Sequence, residues 1–303
     1  KSKLREIVGI ESIEISDTPK SLLFLNELFE PSFIVQGNSE IDLIKIVFSC
    51  FDHFKLKQEF KLTNQKLFSF VSNLSKSCDN DENSYHNWSH SVSTLLFGSI
   101  LLMKSKMNET FTKLEILSFL IASLGHNLSQ DEIQNENDEI PFSILYKSQN
   151  VMGMNHCAQL AKIMSKESCN LLSALDQNAL NSAWELIFYL IFSSHMSVHF
   201  DVLKENEKCQ KDNSFSLKNS EHRNLQLALL LKCADFSECL KDFEYADKFS
   251  KIICEEFFNF GPIENIDGIE YLNENHKRKF LDREKSFLGF VTFVALALFE
   301  SVY

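Results

Sequence analysis

Apolar residues recur at intervals of three and four along most of this chain, and this spacing constrains the fold more than any other feature. On an α-helix, residues so spaced lie on one face and can pack against a core. Alternation of the kind found in strands is nearly absent, and the 8 Gly and 4 Pro are too few for a β-sandwich or barrel with many tight turns. The sequence therefore predicts an all-α fold, with helices over residues 21–30, 41–54, 64–76, 86–107, 111–126, 155–165, 181–201, 221–241, 243–260 and 284–302.

The length and apolar content predict a large core. The chain has 303 residues, of which 44% are hydrophobic. We expect one compact multi-helix domain over residues 31–303, preceded by a separate stretch at the N-terminus over residues 1–30. The polar stretches 127–141 and 204–220 are predicted to be exposed connections. Because the chain begins in polar sequence without Met, we expect it to be part of a longer protein.

The charge and the cysteine content limit the possible classes of binding partner and the possible cellular compartment. The formal net charge is −12, which argues against a nucleic-acid partner, since such partners require clustered Lys and Arg. Eight Cys occur without a CxxC pair, so we interpret them as reduced thiols of an intracellular, cytoplasmic protein. No membrane span is expected, because no apolar stretch of about 18 residues is free of polar interruption. A ciliary or other cytoskeletal assembly is compatible with these features, although no residue argues for it.

Two histidines near the start of one predicted helix raise the question of a metal site. His86 and His90 lie in YHNWSHSV, four residues apart, and therefore share a helix face. Such a pair can bind one metal ion together, or one member can bind while the other faces a substrate. By itself the pair is weak evidence, because an ordinary structural role is more common.

Two further residues strengthen the metal interpretation. His126 closes an apolar helix, and Asp235 lies in the otherwise apolar LLLKCADFSE. An unpaired buried carboxylate would be destabilising by several kcal/mol or would shift its pKa. Together with His90, these residues can surround one divalent ion and leave an open position for water.

The order of these motifs resembles the catalytic domain of class I cyclic nucleotide phosphodiesterases, which belong to the HD-type metal-dependent phosphohydrolases. The resemblance runs from about residue 30 to the C-terminus and implies an all-helical fold with a zinc ion and a second divalent ion. It places His90, His126, position 127 and Asp235 on the zinc, and it makes His86 the acid that protonates the departing ribose oxygen. The resemblance rests on the sequence motifs YHNWSHSVSTLL, LIASLGHN, KCADFSE, EEFFNFGPIENIDGIE and KSFLGFVTFVALALFE.

Several metal-site positions depart from the family pattern. The family has Asp where this chain has Asn127, and a neutral amide is a poor bridge between two cations. A family histidine aligns with Gln130. In MGMNH, Gly153 and Asn155 replace a Glu and a His that hold metal-bound waters, whereas His156 is retained. Each such loss typically weakens metal affinity or activity by about 10–100-fold.

The positions expected to contact a nucleotide also depart. Phe287, in KSFLGF, replaces the glutamine whose amide pairs with the purine edge, whereas the stacking aromatic Phe290 is retained. Glu238 places an acid where the resemblance implies an anionic nucleotide. His195 and His199 lie four apart and can mimic a metal pair, although we favour core hydrogen bonding for both.

These departures lead to three functional hypotheses. We favour a phosphodiesterase-like domain that has lost catalysis and serves as a structural or scaffolding module with protein partners in a larger assembly. The alternatives are a divergent, active 3',5'-cyclic nucleotide phosphodiesterase with one metal ion, and a small-molecule sensor that does not hydrolyse its ligand. For cofactors, we expect none, or at most one weakly held zinc or other divalent ion.

Overall fold

The computed structural model describes residues 27–78, 85–128, 151–212, 214–259 and 283–302. These parts are helical and contain no β-strand, so the predicted all-α class is confirmed. Short 3₁₀ turns lie at Met107–Glu109, Glu167–Cys169, Met196–Val198 and Phe236–Leu240, and a π-helical turn lies at Val291–Ala295. The α-helices are α1 (Glu40–His53), α2 (Leu56–Glu59), α3 (Asn64–Ser77), α4 (Trp88–Lys104), α5 (Lys113–Gly125), α6 (Val151–Met164), α7 (Gln177–Ser194), α8 (His199–Lys211), α9 (Ser220–Asp235), α10 (Phe243–Asn259), α11 (Arg283–Phe290) and α12 (Leu296–Val302).

Helices α4, α5 and α9 form the centre of the molecule. In each of them, long continuous runs of residues are buried, including polar ones such as Ser99 and Ser118. A helix that is buried on all sides belongs to the core of a large domain, not to its surface. Helix α4 packs against α1, α5 and α9, while α7 packs against α5 and α9. The three central helices also carry the residues of the candidate site.

Polar side chains fix where the helices begin. The side-chain oxygen of Asn87 accepts a hydrogen bond from the backbone N–H of His90 at 3.0 Å and so caps α4. Thr112 and Glu115 form a reciprocal capping box at the start of α5. Such caps satisfy backbone N–H groups that have no partner within the helix. The Asn87 cap therefore fixes the first turn of α4, on which His90 lies.

A glycine allows close contact between two of the central helices. A Cβ atom built at Gly98 of α4 would lie 2.7 Å from Cε1 of Phe119 on α5. Gly125, at the end of α5, is similarly close to Leu160 of α6. The missing side chains let neighbouring helices approach within a distance that alanine does not allow.

The structure corrects two predicted element boundaries. The helix expected over residues 181–201 is broken, because α7 ends at Ser194 and α8 begins at His199. The polar stretch 204–220, predicted to be an exposed connection, is helical as far as Lys211. Asn206 explains part of this helicity, since it is buried and donates a hydrogen bond to the carbonyl of Ser301 at 2.8 Å.

The C-terminal helices pack on α9 with one face and leave the other exposed. Ala295 and Leu298 are buried against Leu229 and Cys233, whereas Phe293 is 72% exposed. By length and hydropathy alone, the continuous helical stretch Lys285–Val302 is apolar enough to cross a membrane. Core helices of globular proteins meet the same criterion, and the expected absence of a membrane span stays a prediction.

Candidate functional site

Two histidines and an aspartate converge between the central helices. His90, His126 and Asp235 place one potential ligand atom each within 4.8 Å of one another. The Nε2 atom of His90 lies 2.9 Å from Oδ1 of Asp235, and Nε2 of His126 lies 3.4 Å from the same oxygen. We call these three residues the triad. It is the one group of three or more potential metal ligands among the described residues.

Local structure fixes the position of each triad residue. His90 lies in the first turn of α4, His126 is the C-cap of α5, and Asp235 is the last residue of α9. The Nδ1 atom of His126 lies 2.9 Å from the carbonyl oxygen of Ser123. A protonated Nδ1 donates to that carbonyl and leaves the lone pair on Nε2, which faces Asp235. A hydrogen bond of this kind orients metal-binding histidines in proteins.

The electrostatics of the triad favour the protonation states that a metal ion requires. Burial lowers the pKa of His90, although the neighbouring Asp235 opposes this effect. Burial alone would raise the pKa of Asp235, but the imidazoles of His126 and His90 outweigh it and hold that pKa well below its usual range. A neutral imidazole and an ionised carboxylate are the forms that bind metals.

The triad fits one divalent ion. Two imidazole nitrogens and one carboxylate oxygen make up a common ligand set for a tetrahedral zinc ion with one position open to water. His126 Nε2 is buried and has no hydrogen-bond partner among the described residues, so its lone pair is available to a cation. His90, His126 and Asp235 would therefore hold such an ion.

His86 and Tyr85 lie beside the triad. The His86 ring centroid is 5.8 Å from that of His90, and the His86 side chain is exposed. Tyr85 is buried at 4.4 Å from the His90 ring, and its hydroxyl donates to the backbone carbonyl of Asp235 at 3.3 Å. The arrangement places an exposed imidazole next to the triad, where it can exchange protons with solvent. The role of His86 as a general acid stays a prediction.

Asn127 is buried next to the triad. It is 8% exposed, and its Nδ2 atom has no hydrogen-bond partner within the described parts of the chain. An amide offers one neutral oxygen, whereas a carboxylate offers two charged ones that can join two cations. The residue after His126 therefore contributes no charged oxygen beside the triad.

Helix α6 brings Asn155 and His156 close to the triad. Both side chains are buried, and the Asn155 Nδ2 atom has no hydrogen-bond partner among the described residues. Burial lowers the pKa of His156 well below its usual value, and the nearby charges of His195, His126 and His86 lower it further. Gly153 lies on the same helix, while Gln130 falls outside the described residues.

His195 belongs to this region, contrary to the ordinary core role predicted for it. Its ring stacks on that of His156 with centroids 5.3 Å apart and planes inclined by 9°. Burial lowers the pKa of His195 to about 4, assisted by His126 and Lys232. The Nε2 atom of His195 has no hydrogen-bond partner in the described parts. Sequence periodicity did not reveal this position, because it predicted one unbroken helix over residues 181–201, whereas α7 ends at Ser194.

Lys232 is a buried cation that the sequence analysis did not single out. Its ammonium group donates to the carbonyls of Ser193, Ser194 and His195 at 2.9, 3.0 and 3.2 Å. These bonds satisfy carbonyl groups at the C-terminus of α7 that have no partner within the helix. Burial lowers the pKa of Lys232 to about 8. A lysine inside the apolar run LLLKCA was the available signal for a role of this kind.

Glu238 does not face an open nucleotide pocket as predicted. Its side chain is fully buried, and one carboxylate oxygen accepts hydrogen bonds from Ser93 and Gln36. The adjacent Tyr245 has a raised pKa, first because of burial and then because of the Glu238 charge. The acid is therefore part of the internal packing behind Asp235.

The two C-terminal phenylalanines occupy different surroundings. Phe287 is half-buried, with its ring 6.1 Å from that of Phe249, which in turn contacts Tyr85 at 4.8 Å. Phe290 packs edge-on against Phe236 at 5.2 Å. Phe287 thus continues an aromatic row that leads to Tyr85 and His90. A phenyl ring offers no hydrogen bonds to a polar ligand at this position.

The chain is similar to proteins of known activity. A family model described as 3'5'-cyclic nucleotide phosphodiesterase matches residues 85–303. The cGMP-specific 3',5'-cGMP phosphodiesterase 3 of Dictyostelium discoideum is 28% identical over 86% of this chain and 55% of its own length. The 3',5'-cyclic-nucleotide phosphodiesterase regA of the same organism is 26% identical over 89% of this chain and 34% of its own length.

A solved structure supports the same comparison. The phosphodiesterase domain of the RhoPDE fusion protein from the choanoflagellate Salpingoeca rosetta matches with a TM-score of 0.80 and 25% identity, covering 92% of this chain and 89% of that domain. By contrast, the chain spans 55% and 34% of the lengths of the two curated relatives. The similarity to those relatives is therefore a similarity to part of each protein.

Proposed function

The chain belongs to the 3',5'-cyclic nucleotide phosphodiesterase family, and on that premise we propose that it is a member that no longer hydrolyses cyclic nucleotides. We propose further that it serves as a structural module, with protein partners in a larger assembly. The observation that carries the proposal is Asn127, a buried amide directly after the triad residue His126. At most one ion then remains to activate water and neutralise phosphate charge.

A metal ion on the triad would supply part of the chemistry. Bound zinc lowers the pKa of a coordinated water to about 7 and so provides a nucleophile. Phosphoryl transfer depends mainly on positioning and on stabilising negative charge, for which such enzymes commonly use two metal ions. Without a carboxylate, position 127 offers no bridging ligand for a second ion. The exposed imidazole of His86 remains able to donate a proton.

The surroundings of the triad support the same proposal. Gly153 and Asn155 supply no charged group to hold metal-bound water. The half-buried Phe287 offers no hydrogen bonds to a purine edge, and an unpaired polar edge costs about 1–3 kcal/mol per group. Because each loss at such positions weakens activity by about 10–100-fold, several together remove most of a catalytic advantage near 10⁶.

One observation favours the alternative of an active enzyme with a single ion. The triad is intact, and its three potential ligand atoms lie within 4.8 Å of one another. A single zinc-bound hydroxide attacks electrophiles efficiently in other enzymes. The alternative of a sensor that does not hydrolyse its ligand draws on the aromatic side chains of Phe287 and Phe290.

A hydrolysis assay tests the proposal. Purified protein is incubated with cyclic AMP or cyclic GMP, with zinc and either magnesium or manganese supplied, and the nucleoside monophosphate is measured. We expect no turnover above that of a His126→Ala, Asp235→Ala double variant, in which the triad is destroyed. Turnover by the unmodified protein that disappears in the double variant would overturn the inactive-module proposal in favour of the active alternative.

A further inference from the structure

Glu238 and Ser93 repeat the triad contact one helical turn further along. Ser93 lies three residues after His90 on α4, and Glu238 lies three residues after Asp235. The Ser93 hydroxyl donates to the Glu238 carboxylate. In the same way, Nε2 of His90 lies 2.9 Å from Oδ1 of the Asp235 carboxylate. Two successive contacts therefore join the same pair of chain segments, and movement of one contact displaces the other.

The buried carboxylate of Glu238 also holds the N-terminal part of the described chain. Gln36 donates from Nε2 to the same Glu238 oxygen at 2.7 Å. Three residues later, Lys241 donates from Nζ to the carbonyls of Phe33, at 2.8 Å, and Pro31. We call residues 31–36 the N-terminal segment. These bonds attach the N-terminal segment to the 3₁₀ turn that immediately follows Asp235.

The burial of Glu238 makes its hydrogen bonds important for the position of Asp235. Glu238 is fully buried, and a carboxylate withdrawn from water is tolerated only while its hydrogen bonds are made. If Gln36 leaves, the acid loses a donor and must seek water or another partner. Residues 236–240 would then move, and Asp235 is the residue next to them.

We infer that Glu238 is a positioning residue through which the N-terminal segment controls how well the triad holds a divalent ion. An upstream domain or a protein partner that pulls residues 31–36 away would weaken metal binding without touching any ligand. The inference rests on the proposed ability of the triad to bind a metal ion, and not on the proposed absence of hydrolysis. Linkage makes the coupling reciprocal, so a bound ion must also secure the N-terminal segment.

Zinc titration of four proteins tests the inference. The dissociation constant of zinc is measured by competition with a chelator for the unmodified chain, Gln36→Ala, Glu238→Ala and Glu238→Gln. We expect about 10-fold weaker binding in both alanine variants, at the lower end of the effect of residues that support metal ligands. Glu238→Gln keeps an oxygen that accepts from Ser93 and Gln36, so we expect it to restore most of the affinity.

Glu115→Gln is the matched control. Glu115 is a half-buried acid that pairs with Arg223 and joins α5 to α9 away from Asp235. We expect Glu115→Gln to lower stability but to leave zinc affinity within about twofold of the unmodified chain. An equal loss of affinity in Glu115→Gln and Gln36→Ala would overturn the inference, because general loosening would then explain both.

Amide hydrogen exchange is a second measurement. If Glu238 and Gln36 had a purely structural role, zinc would not change the exchange rates of the residues near Gln36. Zinc should slow amide exchange in residues 33–38 of the unmodified chain, and this effect should be absent in Gln36→Ala. Zinc binding with equal affinity in all variants, or without effect on residues 33–38, would overturn the coupling alone. Failure of the unmodified chain to bind zinc at millimolar concentration would overturn the metal premise and the coupling together, while leaving the proposed lack of hydrolysis standing.

Discussion

At the scale of single residues, small chemical changes decide what the site can do. His126 and Asn127 are adjacent and both buried, yet one offers a nitrogen lone pair to the triad and the other offers a neutral amide. Lys232 carries no predicted catalytic role, but it donates to three consecutive carbonyls at the end of α7.

The variant Asn127→Asp should bind zinc more tightly without gaining hydrolysis. The new carboxylate supplies a charged oxygen next to the triad, and we expect affinity to improve by about 10-fold or more. Turnover should stay absent, because Gly153 and Asn155 still hold no water for a second ion and Phe287 still cannot pair with a purine edge. The measurements are a chelator competition for zinc and a cyclic-nucleotide assay. Hydrolysis in this single variant would mean that the other substitutions are tolerated.

Replacing Lys232 by Met should destabilise the fold near neutral pH by about 1–3 kcal/mol, because three carbonyls lose their donor. Burial lowers the pKa of Lys232 to about 8, whereas an exposed lysine titrates near 10.5. Between these values the unfolded chain binds more protons, so the unmodified chain should gain stability relative to Lys232→Met as pH rises from 8 to 10.5.

Urea unfolding at several pH values measures this difference. Lys113→Met is the control, since Lys113 donates to the single carbonyl of Phe54 at 2.9 Å and is only half-buried. A stability difference between the unmodified chain and Lys232→Met that stays constant with pH would contradict the lowered pKa.

At the scale of elements, the site depends on how closely α4, α5 and α9 approach. His90 lies on α4 and His126 follows α5, so the separation of these helices sets the distance between two potential ligands. Gly98 permits the approach, because its position lies against the ring of Phe119. At the other end of α5, away from His126, the Glu115–Arg223 ion pair joins the helix to α9, and the Thr112 cap closes the first turn of α5 itself. Burial alone would raise the pKa of Glu115, but hydrogen bonds from Arg223 and Thr112 outweigh it and lower that pKa.

The variant Gly98→Ala should lower the free energy of unfolding by up to about 2 kcal/mol. Alanine favours a helix by about 1 kcal/mol over glycine, but overpacking against Phe119 costs roughly 1–3 kcal/mol. The clash should also separate α4 from α5 and weaken zinc binding. Gly289→Ala is the opposite case, because no atom lies within 4 Å of its added methyl group and we expect a small gain in stability. Chemical denaturation of both variants tests the expected loss of stability in Gly98→Ala and the expected gain in Gly289→Ala.

At the scale of the whole molecule, a family fold surrounds the triad. The described helices match a phosphodiesterase domain with a TM-score of 0.80, although the identity is 25%. The triad lies at the meeting point of the most buried helices, so the same packing that stabilises the core also fixes its geometry. A domain kept as a structural module would preserve this packing while losing the surrounding ligands.

Metal content is the prediction that belongs to this scale. The purified protein should contain at most one divalent ion per chain, and exhaustive dialysis should remove it. The reason is that the described residues bring three potential ligands together for one ion, and the buried amide of Asn127 offers no carboxylate to join a second. Elemental analysis by mass spectrometry gives the count. Two ions per chain that survive dialysis would contradict both this expectation and the proposed loss of hydrolysis.

The sequence by itself determined the fold class and the residues of the triad. Helical periodicity is local, so the apolar spacing around His90, His126 and Asp235 was enough to place each on a buried helix or at its end. The resemblance in the order of motifs then linked the three. The difference between Asn127 and the Asp of the family pattern was likewise visible in the sequence, because it depends on the chemistry of one side chain and not on its surroundings.

Only the tertiary structure decided which polar groups meet across long separations. Lys232 donates to carbonyls at the end of α7 that lie 37 to 39 residues away, and Gln36 reaches Glu238 across 202 residues. Neither contact has a signature in local spacing, because a hydrogen bond between distant segments depends on how whole helices pack. For the same reason Glu238 was expected in a pocket and is instead buried behind Asp235, while His195 was expected in the core and stacks on His156.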